Sequence, residues 1–155
     1  MTAAVITVSD RSFAGTRADS SGPLLRDLLV GLGLSVSEGV IVPDDVPAIA
    51  AAVASAAAGH DVVITTGGTG LSPRDVTPEA VLPLLHKQIP GIAEALRQDN
   101  RSGVPTSVLS RGVAGTIGTC LVVTLPGSTG GVRDGVAVLA PLLDHAVAQL
   151  RGGDH

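Results

Sequence analysis

Trp and Tyr are absent, and Phe13 is the sole aromatic residue. The chain therefore lacks the flat side chains on which single-stranded nucleic acids stack. It also lacks a basic surplus: ten Lys and Arg face fourteen Asp and Glu, the formal net charge is -4 and the pI is about 5.4. Nucleic acid is thereby excluded as an expected partner. Lys87 is the only lysine, so there is no Walker-type GxxxxGK loop, and GxGxxG is missing too. A P-loop nucleotidase and a dinucleotide-binding fold are poor readings. No GxSxG elbow is present, which weakens hydrolases that act through a covalent intermediate.

Cysteine is equally scarce. Cys120 stands alone in the apolar run TCLVVTL, reads as a small core residue, and offers no internal disulfide. The four histidines, His60, His86, His145 and His155, show no metal-ligand spacing. No uncharged run is long and apolar enough to span a bilayer, and MTAAVITVSD meets polar residues too early for a signal peptide. A cytoplasmic protein with no membrane partner is expected.

What the chain does have is apolar aliphatic surface. Its mean hydropathy of +0.45 is high for a soluble monomer, which predicts apolar faces buried between subunits. β-Branched runs alternate with helical stretches: AAVITVSD, a helix near Gly22 to Leu32, LSVSEGVIVP, a helix from Val46 to Ala58, then DVVITTGG. Such alternation marks βαβ units and a parallel sheet. Beyond Pro78 the pattern predicts a helix to about His86, another from Pro90 to Arg97, and a polar turn at Asp99 to Gly103. Paired strands follow around Val113 to Ile117 and Cys120 to Leu125. One helix from Gly131 to Leu150 should close the domain, with Val132, Val136, Leu139, Leu143, Val147 and Leu150 on its core face. Residues 1–150 read as a single domain and 151–155 as a frayed tail.

The segment TTGGTGLSPRDVTPEA, Thr65 to Ala80, joins a buried strand to a helix through a glycine-rich turn. Backbone N–H groups in such a turn point at an anion. Three further segments also end strands: VSDRSFAG, VPDD and TLPGSTGG. In an open parallel sheet these ends converge on one crevice. With no loop lysine, a bound phosphate needs another cation, and Asp44 and Asp75 could hold Mg²⁺, which binds through one or two carboxylates plus substrate phosphates. Each residue also has a plainer reading. Asp44 or Asp45 could cap the helix near Pro47. Asp75 could pair with Arg74 or steady its turn. Ser9 and Asp10 could be loop punctuation, and Ser128 a helix cap.

These segments together carry a resemblance. GGTGLSPRDVTPEA, with SDRSFAGTRADSSG, VPDD, LSRG at Leu109 and LPGS at Leu125, resembles the molybdopterin adenylyltransferases, the Mog-like bacterial proteins and gephyrin G domains, over nearly the whole chain. The resemblance implies a three-layer α/β sandwich with a mostly parallel central sheet and one antiparallel strand. It implies a homotrimer that transfers AMP from ATP to the terminal phosphate of molybdopterin, releases pyrophosphate, and hands the product to a molybdate-inserting protein. Asp44 and Asp75 would be the catalytic and Mg²⁺-holding residues. Gly67, Gly68, Thr69 and Gly70 would hold phosphate, and Ser9, Asp10, Ser110, Gly127 and Ser128 would line the same pocket. Arg11, Arg74 or Arg111 would add positive charge. Two other readings stand beside this one: a molybdopterin carrier of the same fold without transfer activity, and an enzyme using another nucleotide, like the competence-damage-type proteins. Thr129-Gly130 replaces the proline and following Lys or Asn frequent in the family, which predicts a more flexible loop there.

Overall fold

The computed structural model describes residues 1–99 and 103–153. Its centre is a seven-stranded mixed sheet. Strand β1 (Thr2–Val8) is followed by a single helical turn, α1 (Asp10–Phe13), then α2 (Ser21–Gly31), β2 (Ser35–Val36), β3 (Val40–Val42), α3 (Val46–Ala57) and β4 (Val62–Thr66). Next come α4 (Thr77–Val81), β5 (Lys87–Gln88), α5 (Pro90–Gln98), β6 (Ala114–Ile117), β7 (Cys120–Leu125), α6 (Thr129–Leu139) and α7 (Leu143–Leu150). Both β2 and β3 flank β1, and the sheet continues through β4, β7, β6 and β5. Among the described residues β6 is the one strand that runs opposite to the rest, antiparallel to both β5 and β7.

The alternation of residue directions along each strand divides the core in two. Val5, Val62, Ile64, Leu121 and Val123 face a layer made by α2, α5, α6 and α7, where they meet Leu25, Leu29, Ile92, Val132, Leu139 and Val147. Ala4, Ile6, Val63 and Val122 face the opposite layer, with Ile49 and Val53 of α3 and Val81 of α4. Cys120 lies in this second core; burial pushes its thiol up to about 11, so it is an inert packing residue. The expected three-layer sandwich with one antiparallel strand is the fold observed.

Four local expectations change. The run LSVSEGVIVP is two strands, because Ser37, Glu38 and Gly39 stand opposite only Ala4 and Val5 of β1, a bulge that breaks the ladder. The helix opened by Thr77 stops at Val81 and tightens into a 3₁₀ turn, Leu82–Leu84, since Pro83 has no N–H to continue it. The helix from Gly131 to Leu150 is broken by Pro141 into α6 and α7, whose ring and missing donor cannot sit in a helix interior. The apolar spacing across the break survives because both pieces pack on the same core. Finally β5 is too short to leave a periodic signal. Of the polar turn after Asp99, residues 100–102 lie outside the described residues. Among the described residues no helix is long and apolar enough to cross a membrane.

At the sheet end remote from the glycine loop, Asp61 fastens three segments. Its Oδ2 accepts from Thr2 N at 2.8 Å and Thr2 Oγ1 at 3.2 Å, and its Oδ1 accepts from Arg151 Nη2 at 2.6 Å. Arg151, the first residue of the expected tail, thus ties α7 to the sheet. The Thr2 N–H, with Arg151 assisting, holds the Asp61 carboxyl below its ordinary 3.8. A depressed carboxyl contributes stability above its unfolded pKa and loses it as pH falls through the folded value. Asp61→Asn should therefore flatten the acid limb of the stability curve. Melting temperatures followed between about pH 5 and pH 3 should fall more steeply in the wild type than in the variant.

Candidate active site at the strand ends

The register brings the loops to one level. Thr7 pairs with Thr66 and Thr66 with Leu125, so Ser9, Gly67 and Pro126 leave the sheet side by side. Ser9 N donates to Val42 O at 3.0 Å, which draws in the loop after β3. Of the site residues named above, all but Arg111 line one cleft of about 870 Å³. That is ample for a drug-sized or nucleotide-sized ligand.

The glycine loop is bent by backbone that only glycine tolerates well. Gly67 and Gly68 have φ of 106° and 66°. A Cβ on Gly67 would run into the Val8 carbonyl, and one on Gly68 into Thr77 Oγ1. Gly67 N donates to Leu125 O at 3.0 Å and Thr77 Oγ1 donates back to Gly67 O at 2.9 Å. The next three amides, of Gly68, Thr69 and Gly70, donate to no group among the described residues. Successive unpartnered N–H groups lining a cleft form an anion cradle.

Arg111 holds this loop from behind. Its backbone N donates to Thr69 O at 2.8 Å, Nε to Gly70 O at 2.8 Å and Nη2 to Asp75 O at 2.6 Å, while Nη1 pairs with Glu79. Its guanidinium is therefore a clamp and does not face the cleft. Arg111→Gln should lose about 2 kcal/mol of stability and speed amide exchange from Gly68 to Asp75. Unchanged exchange there would show that the loop holds itself.

The plainer readings are now separable. Ser9 caps α1, accepting from Ser12 N at 3.2 Å, and Ser128 caps α6, accepting from Gly131 N at 3.0 Å. Thr129 and Gly130 accordingly form the first turn of α6 behind that cap, where a looser loop was expected. Asp45, not Asp44, caps α3 through Ala48 N at 3.0 Å. Asp75 Oδ2 accepts from Ser72 N at 2.9 Å and so steadies its own turn, while Arg74 turns away from it to Asp10. Ser110 Oγ accepts only a long 3.4 Å bond from Gly112 N, and Gly127 packs against Gly67.

Asp44 is left for the cleft. Its Oδ2 accepts from Asp10 N at 2.8 Å, and Asp44 N donates in return to Asp10 Oδ1 at 2.9 Å. Burial pushes the Asp44 carboxyl above its ordinary value; the Asp10 N–H pulls it back, and the charges of Asp10 and Asp75 push it up again. Asp10 itself is held low, chiefly by Arg74. A half-buried carboxylate facing other carboxylates in a phosphate-sized cleft is stabilised by a cation. Among the described residues no three His, Cys, Asp or Glu side chains gather to chelate a metal by themselves. The oxygen donors of Asp44 and Asp75 fit Mg²⁺, which keeps waters and takes its remaining ligands from phosphates.

Sequence reasoning missed two contributors. Asp19, present in the SDRSFAGTRADSSG segment, receives Thr7 Oγ1 at 2.6 Å and the N–H groups of Ser21 and Gly22, so it caps α2 at the cleft wall. Its position just before a helix was the available signal. The opposite wall, Leu96 and Arg97 of α5 with Ser107, is assembled by tertiary packing and left no local mark.

The family described as probable molybdopterin binding domain matches residues 4–145. A molybdenum cofactor biosynthesis bifunctional protein of Synechococcus elongatus is 44% identical over 154 residues, 99% of this chain and 48% of that protein. The chain thus spans about half the length of that bifunctional relative. Molybdenum cofactor biosynthesis protein B of Bacillus anthracis is 41% identical over 157 residues, covering 94% of this chain and 88% of its own. The crystal structure of a molybdopterin biosynthesis protein from Mycobacterium abscessus superposes with a TM-score of 0.92 at 45% identity, covering 97% of this chain and 96% of the other. With its fold, its strand-end cleft and these relatives in agreement, the chain belongs to the molybdenum cofactor biosynthesis family built on the probable molybdopterin binding domain.

Proposed function

We propose that this protein works in molybdenum cofactor biosynthesis and transfers AMP from ATP to the terminal phosphate of molybdopterin. The observation that carries the reading is the pairing, in one cleft, of a lysine-free amide cradle with the carboxylates of Asp44 and Asp75. A terminal phosphate oxygen of the pterin attacks the α-phosphorus, forming a new P–O bond. The bond from that phosphorus to the bridging oxygen breaks, and pyrophosphate leaves with the electron pair. A phosphate dianion needs no general base, so positioning and charge neutralisation supply the catalysis.

The chain's own groups have matching tasks. Amides of Gly68, Thr69 and Gly70 hold phosphate oxygens, and Arg111 keeps the loop shaped for them. Asp44 and Asp75 would hold Mg²⁺, which when bound neutralises the charge gathering on the phosphates and the departing pyrophosphate. With Phe13 the only aromatic residue, the pterin and adenine are recognised by backbone groups and aliphatic side chains such as Leu96. Arg11 and Arg17 also line the cleft, and among the described residues neither side chain has a partner. They are the arginines free to meet an anionic ligand.

Incubation of the purified protein with molybdopterin, ATP and Mg²⁺ should produce adenylylated pterin and pyrophosphate in equal amounts. Tight pterin binding without product would replace the transferase by a carrier. The exposed apolar side chains of Phe13, Leu71 and Val40 support the further reading that subunits pack as a homotrimer. Sedimentation at micromolar concentration would contradict it by giving a monomer.

A further inference from the structure

We infer that Asp10 is a positioning residue which sets Asp44 and holds Arg74 in reserve, away from the phosphate cradle. This rests on the phosphate-transfer reading above and adds a device to it. The resemblance places Asp10 among the ligand-lining residues, yet both of its carboxylate oxygens are already engaged by protein. Oδ1 accepts Asp44 N at 2.9 Å, and Oδ2 accepts Arg74 Nε at 2.9 Å and Nη2 at 2.6 Å. Asp10 N meanwhile donates to Asp44 Oδ2 at 2.8 Å. One residue thus joins the loops after β1, β3 and β4, which no other residue does in the hydrogen bonds among the described residues.

Two consequences follow from this geometry. The reciprocal bonds between Asp10 and Asp44 fix both the backbone and the carboxylate of Asp44, so the angle at which that carboxylate enters the cleft is set by its neighbour. Arg74 is among the residues lining the cleft, together with Gly67 to Gly70, but its guanidinium is turned toward Asp10. The Arg74 side chain is 66% exposed, so little packing opposes its release. An ion pair between exposed partners, with both Arg74 donors on the single oxygen Oδ2, is weak enough to exchange for a phosphate. The cradle, which has no lysine, thus has a cation stored beside it, and Asp10 keeps that cation from binding pyrophosphate so tightly that the product stays.

The two roles separate by substitution. Asp10→Asn keeps an oxygen for Asp44 N but loses the charge that retains Arg74. Asp10→Ala loses both. Pyrophosphate titrated by calorimetry, with and without Mg²⁺, should bind about fivefold more tightly to Asp10→Asn than to wild type. The gain should shrink in high salt. Arg74→Gln alone should stay within about twofold of wild type, and the double variant Asp10→Asn with Arg74→Gln should lose the gain. In turnover, Asp10→Ala should lower kcat about tenfold or more because Asp44 is no longer positioned, and Asp10→Asn should recover part of that loss. Weaker pyrophosphate binding in Asp10→Asn, or a gain that survives in the double variant, would overturn the inference while leaving the transferase reading intact. Wild-type protein that takes up no pyrophosphate at all would remove the phosphate cradle and this inference with it.

Discussion

Asp75→Asn should leave the protein folded and able to hold molybdopterin while reducing adenylyl transfer about 10³-fold. The substitution is nearly isosteric, and an amide oxygen can still accept the Ser72 N–H that Asp75 Oδ2 receives at 2.9 Å. The backbone carbonyl that receives Arg111 Nη2 is unchanged. What disappears is one negative charge in the cleft. If the carboxylate only steadied the turn, as its hydrogen bond alone would suggest, turnover would scarcely move. If it helps hold Mg²⁺ against the phosphates, a loss of about 4 kcal/mol of transition-state stabilisation is the scale to expect, and each 1.36 kcal/mol is about tenfold. The two roles part on one comparison: single-turnover rates with saturating ATP, set against pterin affinity measured without ATP. Equal rates in variant and wild type would remove Asp75 from the chemistry. The same substitution at Asp44 should act in the same direction, and it removes a carboxylate that burial first, and the charges of Asp10 and Asp75 after it, already disfavour.

The layers of this fold were legible because its strands are β-branched and its longer helices are periodic. Ile64 and Val123 are buried on one face, Val63 and Val122 on the other, and a short apolar run between turn residues announces such a strand. What stayed hidden was set by single residues or by length. Pro83 and Pro141 each ended a helix whose apolar spacing continued past them, and β5 had no room for a pattern. The site shows the same division. The cradle could be read because glycines cluster there for a backbone reason. The choice between capping and cleft roles for Asp44 and Asp45 could not, since either aspartate precedes α3 suitably; only the Asp45 bond to Ala48 N decides it. The roles of the arginines were likewise open in the sequence. Arg74 goes to Asp10 and Arg111 to Glu79, partners 64 and 32 residues away along the chain.

Gly67→Ala should be the most damaging small substitution in the cradle, lowering stability by at least about 3 kcal/mol and the melting temperature by about 6 to 12 °C. Two independent causes act together. A φ of 106° lies in a region that L side chains rarely adopt. The added methyl would also point at the carbonyl of Val8, the last residue of β1, whose backbone is held in the ladder opposite Val42 of β3 and so cannot readily rotate aside. Relief requires β1 and β4 to part at their ends, where Thr7 pairs with Thr66, or the loop to unwind and surrender the Thr77 Oγ1 bond to Gly67 O. Either route also disperses the amides of Gly68, Thr69 and Gly70, so pyrophosphate binding should fail even at temperatures where the variant is folded. Gly31→Ala is the matching control. Gly31 lies in α2 with open space where its Cβ would stand, and alanine there should raise stability by about 0.5–1 kcal/mol. Equal melting temperatures for Gly67→Ala and wild type would mean that the loop accommodates a side chain, and the glycine-built cradle would lose its physical basis.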